Sequence, residues 1–113
     1  MKVFVYGSLK KGFYNHGLLS ESTFIDNAMT LPKYTMYDLG GYPAIVEMGD
    51  TPIFGEVYEV NDIVRLDRLE GHPKWYRREQ IPTHLGDVWV YIMRAPLPVK
   101  ANRCPDGIWR EKR

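Results

Sequence analysis

Short runs of apolar and β-branched residues, broken by turn residues, recur along most of this chain. Such runs are typical of β-strands, and glycine, proline, asparagine and aspartate are the usual residues between them. The pattern predicts strands at residues 2–6, 22–31, 33–39, 42–47, 53–60, 75–82 and 88–93. Residues 48–52 are predicted to form a loop, and residues 85–87 a hairpin connection.

The spacing of apolar residues changes to a helical period in one stretch, which begins at Asn61 and ends at Gly71. Asn61 is suited to cap the amino terminus of this helix, and Gly71 is suited to end it. Its apolar stripe consists of Ile63, Leu66 and Leu69. Residues 13–19 are predicted to form a short helical turn, with Asn15 as its N-cap. One main helix, short helical turns and many short strands predict an α+β fold around a largely closed sheet.

Composition and charge narrow the possible functions. The chain has 113 residues, 44% of them hydrophobic and 26% charged, which predicts one globular domain over residues 1–113. Residues after about position 95 are predicted to form an irregular tail, which Ile108 or Trp109 anchors to the core. The net charge of +1 lacks the basic excess that is typical of nucleic-acid binding. No apolar run reaches the roughly 18–20 residues of a membrane span.

Cysteine content and the start of the chain indicate a compartment. The single cysteine, Cys104, excludes an internal disulfide and a cysteine-based metal site. The first apolar stretch ends at Gly7 and is shorter than the roughly 7–15 residues of a signal-peptide core. We therefore expect a cytoplasmic protein that does not act on a membrane.

The first predicted strand runs directly into a loop that contains Gly7 and Gly12. A strand that stops at glycine presents backbone N–H groups at its carboxyl end, where they can hold a carboxylate or an oxyanion. The loop is not a nucleotide phosphate loop, because Phe13 and Tyr14 stand where that motif has lysine and a hydroxyl residue. We therefore expect an anion cradle here.

Glu70 is the most unusual residue of the predicted helix. Its spacing places it at the edge of the apolar stripe, one residue before the helix ends. Burial and the negative end of the helix dipole would both raise the pKa of this carboxyl, and a general acid or base benefits from such a shift. The alternative is a structural ion pair with Lys74, Arg77 or Arg78.

Other polar residues are further candidates. Glu56 lies in a predicted strand and either faces solvent or pairs with Glu70 in a two-carboxylate site. Ser8 lacks the G-x-S-x-G context of a nucleophile, so we expect it to donate a hydrogen bond. Tyr76, soon after the helix ends, is expected near the site. The three histidines match no metal motif and are expected to be structural: His16, His72 and His84.

Several motifs follow one another over roughly residues 3–78: Tyr6-Gly7-Ser8-Leu9, Asn15-His16, Gly55-Glu56-Val57-Tyr58, Leu66-Asp67-x-Leu69-Glu70-Gly71 and Tyr76-x-Arg78. Their order resembles the γ-glutamylcyclotransferase-like superfamily, and most of all its γ-glutamylamine cyclotransferase branch. The tetrapeptide alone is a weak signal, but its combination with the downstream Leu-x-x-Leu-Glu and Tyr-x-Arg is specific.

The resemblance implies a small mixed sheet closed towards a barrel, with a cavity at one end. It implies that Tyr6, Gly7, Ser8 and Leu9 bind a γ-glutamyl group, and that Glu70 is the catalytic acid/base. The implied acyltransferase or lyase reaction releases 5-oxoproline and a free amine or amino acid from a small γ-glutamyl substrate, without metal or cofactor. A γ-glutamyl hydrolase and a non-catalytic binding domain remain alternatives, and the acceptor and the oligomeric state remain open.

Overall fold

The computed structural model describes residues 1–94 and 96–111. Their elements are β1 (Lys2–Val5), a 3₁₀ helix (His16–Leu19), β2 (Thr23–Met29), β3 (Tyr34–Asp38), β4 (Pro43–Thr51), β5 (Phe54–Glu59), α1 (Ile63–Glu70), β6 (Tyr76–Thr83), β7 (Gly86–Met93) and β8 (Asn102–Arg103). Each predicted strand is therefore present, with its ends shifted by a few residues.

The strands form two sheets, and the predicted α+β class is confirmed. The larger sheet has the order β2-β5-β1-β7-β6, and the smaller has the order β4-β3-β8. The larger sheet is mixed, because β1 pairs with β7 in parallel and with β5 in antiparallel orientation. The strands of the described residues thus lie in two separate sheets, whereas the resemblance implied one sheet closed towards a barrel.

β1 is the central strand of the larger sheet, and this position explains its uninterrupted apolar sequence. Val3, Phe4 and Val5 are at most 3% exposed. Phe4 belongs to a core cluster shared with the smaller sheet, whereas Val3 and Val5 belong to a cluster shared with α1. Both faces of β1 are therefore covered, as continuous apolar strands require. The loop of residues 6–9 leaves the strand between these two clusters.

Helix α1 ends as predicted but begins one residue later than predicted. Its N-cap is Asp62, whose carboxylate accepts a hydrogen bond of 3.1 Å from the Val64 N–H, so the assignment of Asn61 as the cap was wrong. Gly71 ends the helix in the left-handed region, with φ of 62°, where glycine lacks the steric penalty of other residues. Glu70 is the last residue of the helix.

The predicted loop at residues 48–52 was wrong, because β4 continues to Thr51. The register between β3 and β4 jumps at Tyr34, which leaves residues 47–50 as a bulge. Gly49 permits this bulge, since its φ is 151° and a Cβ there would collide with the Tyr34 carbonyl. A glycine and an aspartate in sequence indicate a turn, and only the partner strand shows that pairing resumes.

The structure corrects the predicted cap at Asn15 and shifts the turn of the predicted hairpin. Asn15 precedes the 3₁₀ helix, but its side chain does not cap it; the amide donates instead to Ser8 Oγ at 2.9 Å. The hairpin between β6 and β7 is confirmed, with Thr83 opposite Gly86. Its turn therefore lies at residues 84–85, and Gly86 already belongs to β7.

Residues 96–111 are largely irregular, apart from β8, which pairs with β3. The anchor of this segment is Trp109, which is 3% exposed. The buried ammonium group of Lys10 donates to the Trp109 carbonyl at 2.8 Å and joins the segment to the loop after β1. Within the described residues, no helix is long and apolar enough to cross a membrane.

Candidate active site

A cavity of about 730 Å³ opens where the end of β1 meets the end of α1. The structure places all the predicted site residues around it: Tyr6, Gly7, Ser8, Leu9, Glu70 and Tyr76. The first four of these directly follow the end of β1. Glu70 is the last residue of α1, and Tyr76 is the first residue of β6. Elements far apart in sequence therefore bring an unpaired carboxyl and a strand-end loop to one cavity.

The Glu70 carboxyl is half-buried and has no hydrogen bond or ion pair among residues 1–94 and 96–111. The three cations proposed as structural partners lie elsewhere. Arg78 pairs with Asp67, Arg77 pairs with Glu47 and Glu79, and the Lys74 ammonium is 5.9 Å from the centre of the Trp75 ring. Burial raises the pKa of Glu70 to about 7, because the charged form loses water without gaining a partner. The group can thus take up and release a proton near neutral pH.

Three tyrosines surround this carboxyl, and each hydroxyl already has an acceptor. Tyr6 donates to the Tyr91 carbonyl at 2.6 Å, and Tyr76 donates to the Pro43 carbonyl at 2.9 Å. The Tyr91 hydroxyl donates to the Asp67 carboxylate at 2.7 Å. Burial raises the pKa of all three tyrosines, and the negative charge of Glu70 raises them further. They therefore stay neutral and form rigid walls around Glu70.

The loop after β1 keeps its shape through its own carbonyl groups. The Gly7 carbonyl accepts from the Lys10 N–H at 3.1 Å, and the Ser8 carbonyl accepts from the Asn15 N–H at 2.8 Å. The Leu9 carbonyl is 2.9 Å from a ring nitrogen of His16. Within the described part of the chain, no acceptor takes the N–H groups of residues 7–9. These donors are therefore free for a ligand anion.

Gly7 is required by the close approach of the loop to β4. A Cβ at this position would lie 2.6 Å from Cγ of Pro43, well inside van der Waals contact. Pro43 cannot easily retreat, since its carbonyl is held by the Tyr76 hydroxyl. The glycine, the proline and the tyrosine thus form one packed wall of the cavity.

The other polar candidates lie outside this arrangement or play structural parts. Glu56 accepts from the Lys11 N–H and from the Tyr58 hydroxyl, both at 2.8 Å, and does not line the cavity. A two-carboxylate site with Glu70 is therefore not formed. The Ser8 hydroxyl, expected to be a donor, accepts a bond from the Asn15 amide and has no histidine bonded to it. In the described residues, no cluster of three or more His, Cys, Asp or Glu side chains could hold a metal ion.

The model of the family described as "Gamma-glutamyl cyclotransferase, AIG2-like" matches residues 3–111. The chain belongs to this family. "Putative gamma-glutamylcyclotransferase" of Vibrio cholerae is 46% identical over 92 residues, which are 80% of this chain and 79% of that protein. "Gamma-glutamylcyclotransferase family protein YtfP" of Escherichia coli is 31% identical over 115 residues, covering 99% of this chain and all of that protein.

The fold agrees with this family assignment. The solution structure of YtfP from Escherichia coli superposes with a TM-score of 0.75 at 31% identity, over 96% of each chain. The resemblance stated from the sequence motifs is therefore confirmed at the level of the family, and the chain is a γ-glutamylcyclotransferase-like protein.

Sequence reasoning missed two residues of this cyclotransferase-like site, Pro43 and Tyr91. Both line the cavity, and both are joined by their carbonyl groups to the site tyrosines. Each stands in an ordinary strand pattern, so no local signal distinguishes it from a core residue. Pro43 could have been suspected, because a proline directly after a glycine turn is suited to rigid close packing.

Proposed function

We propose that this protein cyclises a small γ-glutamyl substrate to 5-oxoproline and releases the attached amine or amino acid. One observation carries the proposal: a half-buried carboxyl without a partner, Glu70, shares a cavity with the free N–H groups of residues 7–9. The first group can move protons, and the second can hold negative charge. Membership of the γ-glutamyl cyclotransferase family supports the choice of substrate class.

In the proposed reaction, the Glu70 carboxylate takes a proton from the α-ammonium group of the substrate. The free amine attacks the γ-carbonyl carbon of the same glutamyl residue and forms a five-membered ring through a tetrahedral intermediate. The C–N bond to the leaving amine then breaks. Of the three ammonium protons, one stays on the lactam nitrogen and two end on the leaving amine, with Glu70 as their carrier.

The protein has to supply orientation and proton transfer, since nucleophile and electrophile belong to one molecule. Because the attack is intramolecular, a well-oriented substrate avoids much of the entropy cost of a bimolecular reaction. The N–H groups of Gly7, Ser8 and Leu9 would hold either the oxyanion or the α-carboxylate of the substrate. Tyr76 and Tyr6 would shape the cavity around the γ-glutamyl group. The proposed route uses no metal and no cofactor.

The test is incubation with a panel of γ-glutamyl amines, γ-glutamyl amino acids and a γ-glutamyl isopeptide of lysine, with 5-oxoproline read by mass spectrometry. We expect 5-oxoproline from at least one compound. Glu70→Gln should lower kcat by about 10²- to 10⁴-fold, because it removes the acid/base group. Glu56→Gln is the matched control, since Glu56 lies outside the cavity and glutamine can still accept its two hydrogen bonds.

Three outcomes would contradict the proposal. Near wild-type turnover by Glu70→Gln would remove Glu70 from the mechanism. Free glutamate in place of 5-oxoproline would show a hydrolase that uses the same cavity. Thermal stabilisation by γ-glutamyl compounds that remain intact would show a binding domain without turnover.

A further inference from the structure

Helix α1, which carries Glu70, has little apolar attachment to the rest of the protein. It has eight residues, and only Leu66 among them is fully buried. Ile63 is half-buried, while Val64 and Leu69 are exposed. A helix this short gains most of its stability from tertiary contacts. The last turn, residues 67–70, contains Glu70 and no fully buried apolar residue.

Asp67 supplies a polar attachment, one turn before Glu70 on the same helix. Its carboxylate forms a bidentate ion pair with Arg78. Nε of Arg78 donates to Oδ1 at 2.7 Å, and Nη2 donates to Oδ2 at 3.2 Å. It also accepts the Tyr91 hydroxyl at 2.7 Å. Arg78 on β6 and Tyr91 on β7 are directly opposite each other in the sheet. One carboxylate thus ties the helix to a cross-strand pair by three charge-assisted bonds.

Arg78 is itself held from two further directions. Its guanidinium lies 4.9 Å from the centre of the Trp89 ring. Its backbone N–H donates to Nδ1 of His72 at 3.1 Å, in the loop that follows α1. The Arg78 and Asp67 side chains are only 17% and 19% exposed. An ion pair with this geometry and burial is stronger than an exposed one, and breaking it leaves one charge without a partner.

The same pair also places two opposite charges one helical turn before Glu70. Burial alone would raise the pKa of Asp67, but the hydrogen bonds from Arg78 and Tyr91 outweigh it, and the pKa is lowered. Asp67 is therefore ionised at neutral pH, and its charge balances that of Arg78. The other groups that face Glu70 or line its cavity are Tyr6, Tyr14, Tyr42, Tyr76, Tyr91, Arg68 and Glu111.

We propose that Asp67 and Arg78 are positioning residues for Glu70, which hold the end of α1 on the sheet and cancel each other's charge beside the reacting carboxyl. This inference rests on the proposed function, in which Glu70 carries the proton. Neither residue touches the substrate in this scheme. They act through Glu70: they fix the position of its carboxyl, and they set the electrostatic field that determines its pKa.

The first experiment titrates the Glu70 carboxyl directly, by ¹³C NMR of substrate-free protein with labelled glutamate. Asp67→Asn leaves the Arg78 charge uncompensated, so the midpoint for Glu70 should fall by about half a unit to one unit. Arg78→Gln leaves the Asp67 charge uncompensated, so the midpoint should rise by a similar amount. The double variant should return close to the wild type. Asp62→Asn is the matched control: the same change on the same helix, with capping retained.

The second experiment measures kcat and KM on the best substrate of the panel. Asp67→Asn should lower kcat by about 10-fold or more, with a smaller effect on KM, because a displaced acid/base group affects the reaction more than binding. Arg78→Lys keeps the charge but loses the bidentate fork. It should leave the Glu70 midpoint unchanged and still lower kcat, which separates position from charge.

Shifts of the same sign in Asp67→Asn and Arg78→Gln, or no shift in either, would overturn the charge argument. A wild-type kcat in Asp67→Asn would overturn the positioning argument. If Asp67→Asn does not fold, Arg78→Gln and Arg78→Lys test the two arguments separately. The NMR titration uses no substrate, so opposite shifts together with an inactive wild type would refute the proposed reaction and leave the account of Glu70's surroundings standing.

Discussion

Replacing Glu70 by glutamine should make this protein more stable at alkaline pH, even though it removes the proposed catalytic group. The carboxyl is half-buried without a cation or a hydrogen-bond donor, and burial raises its pKa from 4.5 to about 7. A raised carboxyl pKa means that the folded state prefers the protonated form. The unfolded chain loses this proton near its ordinary pKa, whereas the folded protein loses it only near 7.

The sign and the size of the effect follow from proton linkage. Between about pH 4.5 and 7 the folded protein binds more protons at this site than the unfolded chain, so the free energy of unfolding falls as the pH rises. One unit of pKa corresponds to about 1.36 kcal/mol, which makes the full penalty about 3 kcal/mol above pH 8. Below about pH 4 both states are protonated and the penalty is absent.

Glu70→Gln removes this titration. The buried amide has its own cost, but that cost does not change with pH. The quantity to measure is therefore the difference in unfolding free energy between variant and wild type, by urea denaturation at pH 4.5, 6, 7 and 8. It should shift in favour of the variant by about 2–3 kcal/mol across this range, which corresponds to roughly 6–15 °C in Tm.

Glu21→Gln is the matched control, because it makes the same chemical change at an exposed position. The reasoning would be refuted by a difference between Glu70→Gln and wild type that stays constant from pH 4.5 to 8. It would also be refuted by a difference that grows in favour of the wild type, since that would mean that the charged carboxylate has a stabilising partner.

Two further predictions concern the wall of the cavity. Gly7→Ala should lower kcat/KM by about 10- to 100-fold, because the new methyl group displaces Pro43 and with it the loop, whereas Gly17→Ala, which has open space around it, should be neutral. An unchanged kcat/KM in Gly7→Ala would show that Pro43 can move aside without disturbing the loop. Tyr76→Phe should lower the unfolding free energy by about 1–3 kcal/mol, measured by urea denaturation, because the buried Pro43 carbonyl loses its donor; a loss below about 0.5 kcal/mol would show that another donor replaces it.

Local signals were sufficient for most elements. β1 is continuous and apolar because it is central, and its apolar sequence predicts a buried strand directly. Gly71 ends α1 because a left-handed residue is needed there, and glycine is the usual one. Local signals failed where two residues compete for one place. Asn61 and Asp62 are both good caps, and in the structure it is the Asp62 carboxylate that accepts the Val64 N–H. At residues 48–51, pairing with β3 overrides a turn-like composition.

The order of motifs was enough to name the family. It also predicted Glu70 and the loop of residues 6–9 as site residues, and these line one cavity with Tyr76, which was predicted from its position after the helix. The periodicity of α1 was enough to place Glu70 at the margin of the apolar stripe. The sequence left open whether the Glu70 carboxyl forms an ion pair with a nearby cation. Three candidates lay within eight residues of it in the sequence, and spacing alone could not choose among them.

The sequence by itself therefore determined most of the elements, the α+β class and the position of Glu70 at the margin of the helical stripe, because each of these depends on neighbours within a few positions of the chain. Only the tertiary structure decided the electrostatic state of that residue. Arg78 pairs with Asp67, and not with Glu70, because β6 and β7 place Arg78 next to Tyr91, and both donate hydrogen bonds to the Asp67 carboxylate. Glu70 is thereby left unpaired beside the free N–H groups of residues 7–9, and its pKa rises because burial is no longer compensated.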